Sequence, residues 1–171
     1  MITKYKKIII VGGGILGLSI ARKFLIEGYK NLTILEKEES IAKHQSSKNS
    51  GVMHAGLYYN PKSLKAFLCR KGIFLLKEYC NKNNINWEEC GKVVIASEKD
   101  NLNVLENLFQ RGITNGLKGI NKINQIEVNK IEPYVRAKAG IFVPEESVVD
   151  FKEVATKYKE EIISLGGFYK I

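Results

Sequence analysis

Three glycines near the start of the chain are spaced as in loops that bind the pyrophosphate of a dinucleotide. Gly12, Gly14 and Gly17 form the pattern G-x-G-x-x-G directly after the apolar run Ile8–Val11. Gly12 permits a tight turn, Gly14 lets the backbone approach a pyrophosphate, and Gly17 lets the next helix pack closely on the strand. Glu36 follows 19 residues after Gly17, and its carboxylate can accept hydrogen bonds from both hydroxyls of an adenosine ribose. Because this carboxylate repels a 2′-phosphate, the pattern predicts FAD or NAD and disfavours an NADP-type ligand.

These residues can bind a ligand only if a strand, a helix and a second strand position them. Ile8–Val11 is predicted to be the first strand, and apolar residues at helical spacing predict a helix from about Ile15 to Glu27, with Gly28 as its C′ glycine. The run 32–36 predicts the second strand. The N-terminus of such a helix offers N–H groups and a partial positive charge to phosphates. The alternative interpretation is a glycine-rich turn with no ligand.

The segment after Glu36 contains many small and polar side chains. Residues 37–60 show little periodicity, and a connection of this length within a compact domain is typically functional. Small hydroxyls, amides and glycines can lie close along a ligand and donate hydrogen bonds to it. The alternative is a surface loop whose Asn and Ser residues make their own turns.

The rest of the chain alternates between helical and strand patterns. A long helix is expected to start at Pro61 and Ser63 and to run to about Cys80. The side chains expected to form its buried stripe are Leu64, Phe67, Leu68, Leu75, Leu76 and Tyr79. Gly72 within this helix is expected to cost stability unless another backbone packs there. The other predicted elements are a strand at 92–97, helices at 100–111 and 125–131, a strand at 141–143, a helix at 151–165 capped by Asp150, and a strand that begins at Phe168.

Composition and charge exclude several classes of function. The net charge is +9, but the lysines are scattered over every element with no basic stripe interleaved with aromatic residues, so nucleic acid is not an expected partner. Cys69, Cys80 and Cys90 lack C-x-x-C spacing, so we expect no metal site. Cys69 and Cys80 fall within one helical pattern and are expected to be reduced core thiols. The longest apolar run is interrupted by glycines, which disfavours a membrane span.

With these motifs, the sequence resembles a known family. The first strand, the run GGGILG, Glu36-Lys37 and the run 47–51 resemble the FAD fingerprint of the D-amino-acid oxidase (DAO) superfamily. Within it, the run NSGVMHAGLYYNPKSLKAFLCRKG from Asn49 to Gly72 resembles the L-2-hydroxyglutarate oxidase/dehydrogenase family, as do the pieces 112–116, 131–133, 139–144 and 149–151. The resemblance covers essentially all of this chain, but only the N-terminal portion of the family's longer sequences.

The resemblance implies roles for individual residues. The three glycines are expected to carry the FAD pyrophosphate, and Glu36 the adenosine ribose. His54 is expected near the isoalloxazine ring, where three roles stay open: a base, a ring contact (which includes covalent attachment) and a structural histidine. The implied cofactor-binding residues are Gly12, Gly14, Ile15, Leu16, Gly17, Glu36, Lys37, Gln45, Ser46, Ser47, Asn49, Ser50, Gly51 and Val52.

The implied fold is α/β: a Rossmann-like FAD-binding βαβ domain with part of a β-rich substrate domain, truncated. Residues 1–85 are expected to form the first part of the FAD-binding domain and residues 86–146 a partial substrate domain. Residues 147–171 are expected to return to the FAD-binding domain, which they leave incomplete.

The implied reaction is the FAD-dependent oxidation of a 2-hydroxy acid, foremost L-2-hydroxyglutarate to 2-oxoglutarate, by hydride transfer to the flavin. The alternative is a non-catalytic fragment, truncated or part of a split enzyme, that binds the nucleotide and needs a complementary C-terminal chain. A free-standing NAD-binding module fits less well, because it leaves the loop 49–51 without a role. The protein is expected in the cytoplasm, with peripheral association at the inner membrane if a quinone rather than oxygen accepts the electrons.

Overall fold

The computed structural model describes residues 3–97 and 102–171. In these two stretches the chain forms nine strands and five helices, which confirms the predicted α/β class. They fall into two compact units: the first combines Met1–Gly51, Asn83–Ile85 and Asp150–Ile171, and the second combines Val52–Lys82 and Asn86–Val149. Within the described stretches, no helix has the length and the apolar composition that crossing a membrane requires.

The first unit contains the predicted βαβ arrangement. Strand β1 (Ile8–Val11), helix α1 (Ile15–Ile26) and strand β2 (Leu32–Leu35) follow one another, and β1 pairs with β2 in parallel. Gly28 ends α1 in a left-handed conformation with φ +88°, and its N–H donates to Leu25 O, as expected for a C′ glycine. Parallel pairing places the glycine turn and Glu36 at the same edge of the sheet.

Helix α5 (Phe151–Ser164) and strand β9 (Phe168–Lys170) complete this unit. The Asp150 carboxylate accepts a hydrogen bond from Lys152 N at 2.8 Å, which confirms the predicted N-cap. Strand β9 pairs in parallel with β2, so the order of the described strands is β1-β2-β9. The buried core of the unit lies between the sheet and helices α1 and α5, and consists of Leu18, Ala21, Leu25, Leu32, Ile34, Ala42, Ala155 and Ile162.

The second unit is built from short antiparallel strands and three helices. One sheet has the order β3-β8-β4 and another the order β5-β7-β6. The elements are β3 (Val52–Met53), α2 (Leu64–Lys82), β4 (Trp87–Glu88), β5 (Lys92–Ala96), α3 (Leu102–Thr114), β6 (Asn121–Asn124), α4 (Gln125–Ile131), β7 (Ala139–Val143) and β8 (Ser147–Val149). The predicted start of α3 at Asp100 lies outside the described residues.

Helix α2 buries a different face from the one predicted. Of the predicted stripe only Tyr79 is buried, whereas Leu64, Phe67, Leu68 and Leu75 are each more than half exposed. The helix buries Ala66, Ile73 and Cys80 instead. The physical reason is the segment 54–56, which lies along this side of α2: Cys69 Sγ donates to His54 O, and Arg70 Nη1 donates to Ala55 O. Helical periodicity identifies apolar faces, but it does not identify the face that a neighbouring loop covers.

Two helical glycines differ in what surrounds them. A Cβ added at Gly17 in α1 would lie 2.0 Å from Gly12 O, so only glycine allows the first turn of α1 to approach the glycine turn this closely. A Cβ added at Gly72 in α2 would meet no heavy atom within 4 Å. No backbone packs on Gly72, so nothing there offsets the stability cost that the sequence predicts for this glycine.

We expect opposite effects from the two glycine-to-alanine substitutions. Gly17→Ala forces the helix and the turn apart and should lower the free energy of unfolding by about 3 kcal/mol. Gly72→Ala, the matched control, should raise it by up to about 1 kcal/mol, because alanine is the better helix former. Urea unfolding followed by circular dichroism measures both. A Gly17→Ala variant as stable as the wild-type chain would contradict the close packing.

Candidate functional site

The glycine turn connects β1 to α1 in the conformation that the fingerprint requires. Gly12 has φ +108°, a backbone conformation that favours glycine, and its N–H donates to Leu35 O at 2.7 Å. The turn is therefore joined to the end of β2 by a backbone hydrogen bond. Gly14 is the N-cap residue of α1 and makes no side-chain cap.

The Glu36 carboxylate is held against the glycine turn. Its Oε2 accepts from Gly13 N at 2.6 Å, and its Oε1 accepts from Glu38 N at 3.0 Å. The N–H groups of Glu38 and Gly13 lower the pKa of this carboxyl from its ordinary value of 4.5, which outweighs the opposing effect of desolvation. Each carboxylate oxygen has more than one acceptor direction, so Glu36 can still accept from ligand hydroxyl groups.

Ser46 supplies the hydrogen bond that the N-terminus of α1 lacks locally. Its Oγ accepts from Ile15 N at 2.9 Å, although the two residues are 31 positions apart in sequence. A Cβ added at Gly14 would lie 3.2 Å from the same oxygen, so a larger residue there would crowd the hydroxyl. Because the Ser46 oxygen acts as the acceptor, its own proton is available for an anion at the helix N-terminus.

The Asn49 side chain stabilises the loop from within. Its amide nitrogen donates to Gln45 O at 2.8 Å and to Ser46 O at 3.0 Å, and its Oδ1 accepts from Gly51 N at 2.8 Å. These three bonds determine the shape of the loop 45–51. Asn49 thereby helps to position Ser46 beside α1.

Two open clefts in the first unit share Gly14 and Ser46. One, of about 330 Å³, is lined by Val11, Gly12, Gly14, Leu35, Glu36, Lys37, Ala42, Lys43, His44 and Ser46. The other, of about 340 Å³, is lined by Gly14, Ile15, Leu16, Gln45, Ser46, Asn49 and Phe151. The clefts thus bring together most of the cofactor-binding residues predicted in this unit. Gly17, Ser47, Ser50 and Gly51 do not line them, and Val52 and His54 belong to the second unit.

His54 contacts a buried carboxylate that the sequence did not lead us to predict. Its Nδ1 lies 3.2 Å from Glu146 Oε2, and the Glu146 side chain is only 2% exposed. Lys92 Nζ and Ala55 N both donate to Glu146 Oε1, at 2.8 and 3.1 Å. Glu146 follows His54 by 92 positions, so no local sequence pattern connects the two residues. The other histidine, His44, contacts Glu38 Oε1 at 2.8 Å and has a largely exposed side chain.

The chain matches the family model of the FAD dependent oxidoreductases (DAO) over residues 7–170. It is 46% identical over 162 residues to an L-2-hydroxyglutarate dehydrogenase of Indibacter alkaliphilus, a match that covers 94% of this chain and 41% of the relative. It is 41% identical over 161 residues to the mitochondrial L-2-hydroxyglutarate dehydrogenase of Homo sapiens, covering 94% of this chain and 35% of the relative. The chain therefore spans less than half the length of these relatives.

Solved structures with a similar fold include an oxidase with FAD bound. The L-alpha-glycerophosphate oxidase of Mycoplasma pneumoniae with FAD bound superposes with a TM-score of 0.81 at 25% identity, covering 98% of this chain and 44% of that protein. The glycine oxidase of Geobacillus kaustophilus superposes with a TM-score of 0.84 at 18% identity, covering 98% and 46%. The second match shows a shared fold alone.

We expect Glu36→Gln to destabilise the chain in a pH-dependent way. The amide presents an NH₂ group to one of the two N–H donors, so the variant should lose about 1 kcal/mol of unfolding free energy at neutral pH. Because the folded-state pKa of Glu36 is lowered, its contribution is fully present above about pH 4.5 and is lost as the pH falls. The difference between wild type and variant should therefore shrink in acid.

Urea unfolding at neutral and acidic pH measures this difference. Glu39→Gln is the matched control, since the Glu39 side chain is 93% exposed and lies 3.6 Å from Lys43 Nζ. We expect no measurable change for it. A Glu36→Gln difference that is equally large at both pH values would show that the carboxylate charge does not hold the turn.

Proposed function

Because this chain belongs to the FAD dependent oxidoreductase family, we propose that its first unit binds FAD and that the complete enzyme oxidises L-2-hydroxyglutarate to 2-oxoglutarate. One observation above all supports the proposal that the first unit binds FAD. The Glu36 carboxylate accepts a hydrogen bond from Gly13 N at the same edge of the sheet as the N-terminus of α1. This edge is where parallel α/β sheets bind their ligands.

The residues present fit an adenine dinucleotide. Glu36 is ionised and can accept from the ribose hydroxyls, while Ser46 retains a proton to donate to a phosphate oxygen. Gly12 and Gly17 let the turn and the helix pack closely, so the helix N-terminus presents its positive end to the pyrophosphate. We assign the remaining predicted contacts along the phosphates and the ribityl chain to the loop 45–51 and to Lys37.

His54 is our choice for the base in the proposed reaction. When bound, FAD supplies the two-electron acceptor for the hydride that leaves the α-carbon of the substrate. His54 accepts the proton of the α-hydroxyl group as the carbonyl forms, a step that suits a neutral imidazole. Its half-exposed ring, 54% accessible, is consistent with contact to a ligand.

The substrate assignment rests on the relatives. Eight of them, named L-2-hydroxyglutarate dehydrogenases, are 38–46% identical to this chain. Since the chain spans 34–41% of their length, we propose that turnover also needs the portion that corresponds to the rest of these relatives. We keep the predicted cytoplasmic location, with oxygen or a membrane quinone as the electron acceptor, as part of this proposal.

A second candidate function is that of a nucleotide-binding component completed by a separate chain. Exposed apolar residues favour it: Val11 on the terminal strand β1 is 83% exposed, and α2 exposes Leu64 and Phe67. Burying such surface against a second polypeptide would stabilise both partners.

We expect Glu36→Ala to weaken FAD binding at least tenfold. Removing an ionised acceptor of ribose hydroxyl groups costs about 1.5–3 kcal/mol, which corresponds to a factor of about 10–100. Titration of the purified chain with FAD, followed by flavin fluorescence, measures the affinity. Glu39→Ala is the control and should bind like the wild-type chain. Equal affinities of Glu36→Ala and wild type would exclude the ribose role.

We expect His54→Ala to slow the reduction of the flavin by L-2-hydroxyglutarate by a factor of about 10²–10⁴, because a positioned general base contributes this much. Anaerobic stopped-flow absorbance measures the rate in a protein completed with the C-terminal part of the Indibacter alkaliphilus relative. His44→Ala is the matched control and should react at the wild-type rate. A wild-type rate for His54→Ala would exclude the base.

The same assay separates the two candidate functions. The C-terminal part is supplied either fused to this chain or as a separate polypeptide. Reduction in the fused form alone supports a single-chain enzyme, whereas reduction on mixing the separate chains supports the split form. No reduction of a bound flavin in either form would contradict the proposed substrate.

A further inference from the structure

We propose that Glu146 is a positioning residue that holds the neutral His54 ring with its proton on Nδ1, so that Nε2 is the proton-accepting nitrogen. The identification of Nε2 as the base rests on the proposed function, whereas the orientation and the tautomer of the ring follow from the geometry alone. Glu146 is thus, beside His54, a candidate functional residue of the second unit.

The two oxygens of Glu146 have separate partners. Oε1 accepts from Ala55 N at 3.1 Å and from Lys92 Nζ at 2.8 Å, while Oε2 faces His54 Nδ1 at 3.2 Å. An ionised carboxylate only accepts hydrogen bonds, so the imidazole nitrogen that faces it must be the donor. In a neutral ring the other nitrogen, Nε2, then carries the lone pair.

The charge of Glu146 is compensated where it is buried. Its side chain is 2% exposed, and an unpaired carboxylate in such a place would be costly. The Lys92 ammonium group provides the counter-charge and also lies 4.8 Å from the centre of the Tyr58 ring. Lys92 thus compensates the carboxylate charge at Oε1, and Oε2 faces His54 Nδ1 as its hydrogen-bond acceptor.

The backbone carbonyls of His54 and of the following residue, Ala55, also accept hydrogen bonds from helix α2. Cys69 Sγ donates to His54 O at 3.0 Å, and Arg70 Nη1 donates to Ala55 O at 3.2 Å. Burial, together with the negative charge of Glu146, raises the pKa of the Cys69 thiol, which keeps it protonated as a donor. With the backbone fixed, rotation of the ring is the main freedom that remains, and the bond to Glu146 restrains it.

Glu146→Gln tests the proposal because it should reverse the tautomer. Ala55 N and Lys92 Nζ are donors, so they require the amide oxygen at the position of Oε1. The amide NH₂ group then takes the position of Oε2 and donates to Nδ1. His54 must accept at Nδ1 and therefore carries its proton on Nε2.

The experiment uses the 171-residue chain labelled with ¹⁵N-histidine, without FAD or substrate. The chain has two histidines, so His44→Gln assigns the ring signals of both. The ¹⁵N shifts of the ring nitrogens are read at a pH above which they no longer change, so that both rings are neutral. Glu145→Gln is the matched control, because the neighbouring Glu145 carboxylate bonds Arg70 at 3.0 and 3.1 Å.

We expect the Nδ1–H tautomer of His54 in the wild type and in Glu145→Gln, and the Nε2–H tautomer in Glu146→Gln. A wild-type His54 that carries its proton on Nε2, or an unchanged tautomer in folded Glu146→Gln, would overturn the proposal. If Glu146→Gln does not fold, solvent exchange of the ring N–H protons in the wild-type chain decides. Exchange of the His54 Nδ1 proton that is slower than that of the His44 ring proton supports the proposal. Equally fast exchange of the two protons overturns it. Because no cofactor is added, a failure of FAD binding leaves this test unaffected.

Discussion

The hydrogen bond between Gly13 N and the Glu36 carboxylate joins the turn after β1 to the residue that follows β2, and the candidate cofactor site depends on it. Glu36 follows β2 directly, whereas Gly13 lies in the turn that leads into α1. The bond therefore fixes a negative charge beside the turn, at the edge of the sheet where the helix N-terminus lies. Its acceptor is ionised, which makes it stronger than a bond between neutral groups.

A second carboxylate organises the other unit in a comparable way. Glu146 is buried among three donors, one each from His54, Ala55 and Lys92. The adjacent Glu145 bonds Arg70, whose guanidinium also reaches the backbone at Ala55. This pair of acids thus attaches the segment that carries His54 to helix α2 and strand β5. In both units a carboxylate determines the conformation of a loop by accepting backbone N–H groups.

The parts of the fold that follow from local sequence were predictable. The glycine spacing, the helix-ending Gly28 and the capping Asp150 act within a few residues, and they lie in the structure as expected. Strands β3, β4, β6 and β8 were not predicted, because none of them contains an apolar run like Ile8–Val11 and β3 pairs with β8 across about 95 positions. Glu146 was missed for the same reason, since its partners are brought together only by the tertiary fold.

We propose above all that FAD binds at the turn between β1 and α1, next to Glu36. An NMR titration of the ¹⁵N-labelled chain with FAD tests it most directly, because each backbone amide reports its own environment. We expect saturable shift changes concentrated at Gly12, at Gly14–Gly17, at Glu36 and at Ser46. An absence of saturable changes, or changes confined to residues away from this turn, would contradict the account.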